Sequence, residues 1–168
     1  MQKLPPPSVP LLMIVSNSAP LLAFARINEL ALLERIVQHL LIPEAVWHEV
    51  TDDLSRPGAA AIRHASWIEV SPVTAIPPEL LVVLDHGEAE VIALAEAVNA
   101  AEVVLDERAA RAVATTRGLQ IIGTAGLLVR AKRQGRIAAV RPFLEQMQSQ
   151  GVHYSQQFVR ELLRQIDE

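Results

Sequence analysis

Short, mostly apolar segments alternate with segments of helical periodicity, and this alternation restricts the possible fold more than any other feature. The apolar segments cover residues 11–16, 40–42, 103–105 and 120–122. Strands that do not alternate polar and apolar residues are typical of a parallel sheet with helices over both faces. The order therefore predicts an α/β fold in three layers, with a short, mostly parallel central sheet flanked by helices.

The segments between these strands predict the rest of the chain. Residues 67–73 alternate in part and indicate an edge strand, and Ser18 is the expected N-cap of the first helix. Helices are predicted over residues 21–38, 44–54, 59–65, 89–98, 108–117, 142–150 and 155–167, and residues 123–126 are predicted to turn the chain into a further helix that runs to Gly135. The length of 168 residues, half of them apolar, indicates one domain over residues 1–168, with an N-terminal tail (1–10) and C-terminal helices (142–168).

Composition excludes several chemistries. The absence of cysteine excludes disulfides, thiolate zinc sites and a cysteine nucleophile. The apolar run over residues 9–15 is shorter than the roughly 20 residues of a membrane span, and no signal-peptide pattern follows, so a cytoplasmic protein is expected. Aromatic residues are few, which argues against a base-stacking platform. No zinc-like spacing joins the histidines, which are His39, His48, His64, His86 and His153.

Charge is unevenly distributed, although the net charge is −4. Eight of the fifteen Lys and Arg residues lie between residues 107 and 141, with Glu107 as the single acid there. Such a region could bind a polyanion locally, or it could consist of solvated outer faces of helices. The candidates for RNA binding are Arg108, Arg111, Arg130 and Lys132.

Polar side chains collect where the predicted strands end. Asn17, Asp106 and Thr124 each follow a strand, and function in open parallel sheets gathers at that edge. Asp106 and Asn17 have purely structural alternatives, because Asp106 could cap a helix and Asn17 could cap or brace a turn.

Two helices add carboxylates to this set. Glu49 and Glu88 lie on neighbouring helices, with Glu90 close to Glu88. Glu49 could instead face solvent, and Glu88 could complement a helix N-terminus. Clustered carboxylates repel one another unless a cation is shared, and Mg²⁺ and Mn²⁺ prefer oxygen ligands. Together these residues predict a divalent-metal site.

Five blocks of the sequence resemble, in order, those of a prokaryotic PIN-like family that includes VapC-type toxin ribonucleases of type II toxin–antitoxin systems. The blocks are VSNSAPLL (15–22), IPEAVWHE (42–49), GEAEVIALA (87–95), LDERAAR (105–111) and IGTAGLLVRAKRQG (122–135).

The resemblance implies a PIN fold, Mg²⁺- or Mn²⁺-dependent RNA cleavage, a homodimer and a cognate antitoxin. Carried over by position, the metal site comprises Asn17, Glu49, Glu88 and Asp106, and the last three are the implied catalytic residues. Ser18, Glu90 and Thr124 are possible accessory residues. The first position is usually aspartate in catalytic members, and an amide there lowers the negative charge of the site.

Three functional hypotheses remain open from the sequence. The first is a metal-dependent RNA endonuclease acting as a toxin. The second is a catalytically weak PIN-like protein that binds RNA or an antitoxin. The third, an unrelated flavodoxin-like protein, would need a glycine-rich phosphate-binding turn that residues 17–20 do not provide. The amphipathic segment after Pro142 is expected to pack on its own domain, with a dimer or antitoxin contact as the alternative.

Overall fold

A computed structural model describes residues 12–168, and within that range five strands form a single sheet. The strands are β1 (Ile14–Ser16), β2 (Leu40–Pro43), β3 (Ile68–Ser71), β4 (Glu102–Val104) and β5 (Ile121–Ile122). Their order across the sheet is β3-β2-β1-β4-β5, and every neighbouring pair is parallel. The predicted sheet is confirmed, including β3 at its edge. The predicted tail, residues 1–10, lies outside the described residues.

Ten helices accompany the sheet in residues 12–168. They are α1 (Ser18–Arg26), α2 (Leu30–Val37), α3 (Glu44–Thr51), α4 (Ala59–Arg63), α5 (Leu80–Val83), α6 (His86–Ala97), α7 (Arg108–Thr116), α8 (Thr124–Arg133), α9 (Arg141–Ser149) and α10 (Gln156–Gln165). The chain adds strands in one direction from β1 to β3 and in the other from β4 to β5, so right-handed crossovers place helices on opposite faces. Helix α1 packs against α2 and α9, and α2 against α8, whereas α6 contacts α7.

The predicted single helix over residues 21–38 is wrong, because the structure divides it into α1 and α2. Asn28 lies between them with φ +58°, in the left-handed region. The Asn28 N–H donates to Ala25 O at 3.0 Å and the Glu29 N–H to Phe24 O at 2.8 Å, which closes the last turn of α1. Asparagine tolerates this conformation better than most residues, so Asn28 was the available signal for a helix end. The short helix α5 was also missed.

Helix α6 lies at the centre of the molecule. Ala89 and the segment 91–95 are buried, and the helix contacts β1, β2 and β4. Such a helix is apolar on nearly every side because it lies between the sheet and other helices. Its N-terminus is held at the carboxyl edge of the sheet, and it carries Glu88 to that position.

Candidate active site

A cleft of about 1250 Å³ opens at the carboxyl edge of the sheet, beside β1 and β4. These two strands are neighbours although the chain leaves them in opposite directions, and such switch points form natural binding crevices in parallel sheets. The Asn17 N–H donates to Val104 O at 3.1 Å, which joins the ends of the two strands. The cleft is lined by five of the seven predicted metal-site and accessory residues, which are Asn17, Ser18, Glu49, Glu88 and Asp106.

Asn17, rather than Ser18, is the N-cap of α1, which corrects the sequence-based expectation. Its backbone is extended, and its Oδ1 accepts the Ser18 N–H at 2.8 Å. Both residues are buried, and Ser18 is the first residue of the helix. The Asn17 amide oxygen has a second lone pair, so capping does not exhaust its capacity to bind a ligand.

Asp106 is fixed by the start of α8. Its Oδ1 accepts the Thr124 N–H at 2.8 Å, and its Oδ2 accepts the Thr124 hydroxyl at 2.5 Å. Asp106 therefore caps α8, and the alternative that it caps α7 is wrong, since Glu107 is the N-cap residue there. Thr124 is buried and does not line the cleft, so its contribution is to position the Asp106 carboxylate.

Gly123 permits the close packing around Asp106. A Cβ atom at this position would lie 2.9 Å from Asp106 Oδ1 and 3.1 Å from Arg111 Nη1. Arg111 uses one of its five N–H groups to donate to Leu105 O at 2.7 Å, which holds its guanidinium group at the cleft. The Asp106 carboxylate and the Arg111 guanidinium group thus both approach the space that a side chain at Gly123 would occupy.

The structure distinguishes Glu88 from Glu90. Glu88 lines the cleft and forms a capping box with Asp85, in which the Glu88 N–H donates to Asp85 Oδ1 at 2.7 Å and Glu88 Oε2 accepts the Asp85 N–H at 3.2 Å. Glu90 does not line the cleft. Its Oε2 accepts the Ala45 N–H at 3.1 Å, so Glu90 on α6 supplies a cap for α3.

Burial raises the pKa of Glu88 above its usual value, and the nearby negative charges of Asp85 and Glu107 raise it further. The hydrogen bond from the Asp85 N–H opposes this shift. Glu88 thus both takes part in the capping box of α6 and lines the cleft.

Acidic groups outnumber basic ones in the lining of the cleft. Five carboxylates face three guanidinium groups, and the acidic residues are Glu49, Asp85, Glu88, Asp106 and Glu107. The basic residues are Arg26, Arg108 and Arg111, of which Arg26 was missed by the sequence reasoning. Glu49 is exposed on α3, as expected of a solvent-facing residue, and it also borders the cleft. This excess of negative charge favours a bound cation.

A family model described as a PIN domain matches residues 13–168. The chain belongs to the PIN-domain family. Among curated proteins, none matches this sequence. The flavodoxin-like alternative is therefore wrong, and the cleft at the carboxyl edge is the candidate active site of a nuclease-type fold. Across residues 12–168, no helix combines the length and apolar character that crossing a lipid bilayer requires.

Two of the predicted RNA-binding residues lie elsewhere in this PIN domain. Arg130 donates to both carboxylate oxygens of Glu102, at 2.8 and 2.7 Å. Lys132 donates to Glu168 at 2.9 Å and to Ile166 O at 2.8 Å. Neither residue lines the cleft. Arg130 and Lys132 are occupied by intramolecular contacts, so Arg108 and Arg111 are the two predicted RNA-binding candidates that border the cleft.

The donor set of the cleft suits a hard divalent cation in its chemistry, since it offers carboxylate and amide oxygens. Within residues 12–168, however, no three His, Asp or Glu side chains converge on a common point closely enough to hold an ion by themselves. Mg²⁺ commonly binds through one or two carboxylates and retains several waters. The residues of this PIN domain fit an ion held in that manner, and they do not fit a closed cage of protein ligands.

The C-terminal segment forms a wall of the cleft that the sequence reasoning did not anticipate. Tyr154 and Phe158 line the cleft with stacked rings, 5.6 Å between centroids and 22° between planes. The Tyr154 hydroxyl is buried without a hydrogen-bond partner among the described residues. Burial raises the pKa of Tyr154, and the charge of Asp106 raises it further. The only sequence signal for this wall was the apolar spacing of the C-terminal segment, which predicted that the segment packs on its own domain but not that it lines the cleft.

Proposed function

We propose that this PIN domain is a metal-dependent RNA endonuclease, a hydrolase of phosphodiester bonds. One observation carries the proposal: Asn17, Glu49, Glu88 and Asp106, from four separate stretches of the chain, line one cleft at the switch point of the sheet. Membership of a family with a nuclease-type fold supports the same conclusion. A bound cation would offset the excess carboxylate charge of the cleft when a polyanion enters it.

The residues divide into two chemical roles in this proposal. One or two of the carboxylates Glu49, Glu88 and Asp106 would bind Mg²⁺ or Mn²⁺ together with several waters, and the Asn17 amide oxygen could complete the set. When bound, the ion would orient water and offset charge on the phosphate. Glu88 lines the same cleft and, where it does not ligate the ion, is a candidate to accept a proton from water. Arg108 and Arg111 border the cleft as contacts for substrate phosphates.

A cleavage assay tests the proposal directly. Purified protein with Mn²⁺ should cleave RNA, a chelator should stop it, and Asp106→Asn should lower the rate at least about 100-fold, because a charge of the metal site is lost. Asparagine can still accept the Thr124 N–H, so the cap of α8 is retained. Glu145→Gln is the matched control, since Glu145 is exposed on α9 and outside the cleft. Equal cleavage by wild type and Asp106→Asn would refute the mechanism.

The biological part of the proposal is that the protein is the toxin of a type II toxin–antitoxin pair in the cytoplasm, acting as a homodimer inhibited by a cognate antitoxin. Its support is the resemblance of the five sequence blocks to VapC-type toxins. Expression should arrest growth, co-expression of the product of the adjacent gene should restore it, and light scattering should give twice the chain mass. Growth unaffected by expression, with an active nuclease in vitro, would remove the toxin role alone.

A second candidate function is a PIN-like protein that binds RNA or an antitoxin with little turnover. The favouring observation is that no three acidic side chains converge within residues 12–168, while the Asn17 amide and the Asp106 carboxylate already accept hydrogen bonds. Calorimetry with Mn²⁺ separates the two functions. Absence of metal uptake, together with salt-dependent RNA binding, would favour the binding protein, because phosphate contacts release counterions.

A further inference from the structure

An aromatic pair stands in the same cleft as the acidic residues. Six residues of the chain are Phe, Trp or Tyr, and two of them, Tyr154 and Phe158, line this cleft. Tyr154 is also packed against the hydrophobic core, and the other four lie within or against it, namely Phe24, Trp47, Trp67 and Phe143. Phe158 is the aromatic residue that the protein leaves outside its core, and it lines the candidate active site.

Phe158 is the more accessible member of the pair. It keeps 43% of its surface exposed, although it is a large apolar residue beside Leu162 in the wall of the cleft. Tyr154 stacks against it and is less exposed, so the Tyr154 ring supports the Phe158 ring from within the protein. A supported aromatic ring with free surface is the feature on which nucleobases stack in single-stranded nucleic-acid sites.

The platform is held at both ends. At the start of α10, Ser155 Oγ accepts the Phe158 N–H at 3.1 Å, which fixes the turn that carries Phe158. Beyond the end of α10, the Glu168 carboxylate accepts the N–H groups of Val140 and Arg141 at 2.7 and 2.9 Å. A platform fixed in this way loses little conformational freedom when a base stacks on it.

We propose that Phe158, supported by Tyr154, is a subsite for one nucleobase of single-stranded RNA. This inference rests on the proposed function and adds a specificity-determining residue to it. The guanidinium groups of Arg108 and Arg111 border the same cleft and would contact the phosphates adjoining that base. Stacking tolerates any base because every base has a π-face, so the subsite selects unpaired nucleotides rather than a sequence.

Calorimetry with two small ligands isolates the base. Adenosine 5′-monophosphate and ribose 5-phosphate share the charged group and differ by the base, and both are titrated with Mn²⁺ present. The wild type should bind the nucleotide more tightly. Phe158→Ala should weaken nucleotide binding by about 5- to 150-fold, the range for loss of one stacked base, and leave ribose 5-phosphate binding unchanged.

Two further variants serve as controls. Phe158→Trp keeps a stacking surface and should retain nucleotide binding, and Tyr154→Phe keeps the supporting ring while removing the unpartnered hydroxyl. Tyr154→Phe should bind the nucleotide within about twofold of the wild type, because stacking needs only the ring. A loss there as large as in Phe158→Ala would assign recognition to the hydroxyl and overturn the stacking subsite. Thermal unfolding confirms that each variant is folded.

The outcomes separate this inference from the proposed function. Equal affinity of the wild type for both ligands, or unchanged nucleotide binding by Phe158→Ala, overturns the subsite and leaves the exposed ring to a protein partner. If the wild type still cleaves RNA in that case, the proposed nuclease function stands without the subsite. Base-dependent binding that Phe158→Ala weakens, without RNA cleavage by the wild type, supports the subsite and refutes only the endonuclease.

Discussion

Charged residues are used in two opposite ways in two regions of this protein. Arg130 and Lys132 form ion pairs with Glu102 and Glu168, with nitrogen–oxygen distances of 2.7 to 2.9 Å. In the cleft, by contrast, carboxylates exceed guanidinium groups, and within residues 12–168 no carboxylate lies within ion-pair distance of Arg108. Paired charges hold elements together, whereas charges left in excess at a concave surface are available to a ligand.

The largest expected effect on stability comes from breaking the paired region. Arg130→Met should lower the free energy of unfolding by about 2–3 kcal/mol, because Glu102 would lose two charge-assisted hydrogen bonds in a partly buried position. Urea denaturation measures this change. RNA binding by this variant should equal that of the wild type.

The matched change in the cleft is Arg108→Met. It should leave the free energy of unfolding within about 0.5 kcal/mol of the wild type, since Arg108 is exposed. It should weaken RNA binding and reduce the slope of log K against log salt by about 1. The comparison between the two regions fails if Arg108→Met destabilises the protein as much as Arg130→Met does.

Replacing either of two cleft glycines by alanine should have an intermediate effect on the free energy of unfolding, with a loss at one position and none at the other. Gly123→Ala places a Cβ 2.9 Å from Asp106 Oδ1, so we expect a loss of about 1–2 kcal/mol and reduced cleavage as Asp106 is displaced from Thr124. Gly87→Ala meets its nearest atom, Asp85 Oδ1, at 3.5 Å and lies within α6, so it should be neutral or stabilising by up to about 1 kcal/mol. Similar losses at both positions would disprove the special role of Gly123.

The smallest expected effect concerns the pH dependence of stability. Glu88 has a raised pKa in the folded protein, so its favourable contribution is present below its unfolded value near 4.5 and is lost as pH rises through the folded pKa. Glu88→Gln can keep the capping box and should exceed the wild type in stability at neutral pH, with the difference vanishing in acid. Denaturation at several pH values tests this, with Glu145→Gln as the control. A difference that is independent of pH would count against burial of the Glu88 charge.

The strands and the position of the cleft could be predicted because both follow from local pattern. An unalternating apolar strand reports burial on both faces, and in a parallel sheet the residues after such strands must meet at one edge. Asn17 and Asp106 were found in this way. The structural roles predicted for Asn17 and Glu88 at helix starts were also correct, since a residue at a helix start can cap the helix and line a cleft at once.

The remaining features depend on contacts between distant parts of the chain. Glu102 precedes Arg130 by 28 residues, so nothing in the sequence around Arg130 identifies it as an ion-pair residue. The same holds for Lys132 and Glu168, which are 36 residues apart. Which of Glu88 and Glu90 lines the cleft depended on how α6 packs against α3, because Glu90 accepts the Ala45 N–H there. The aromatic wall at Phe158 depended on the C-terminal segment lining the same cleft as Asn17 and Asp106, which are distant from it in the sequence.

The hydrogen bond between Glu90 and the Ala45 N–H has a consequence for the spacing of the acidic residues. It joins the helix that carries Glu88 to the first turn of the helix that carries Glu49. The Glu90 carboxylate, which does not line the cleft, therefore helps to set the distance between the Glu49 and Glu88 carboxylates, which do. A change at Glu90 would therefore alter the spacing between Glu49 and Glu88 without changing either side chain.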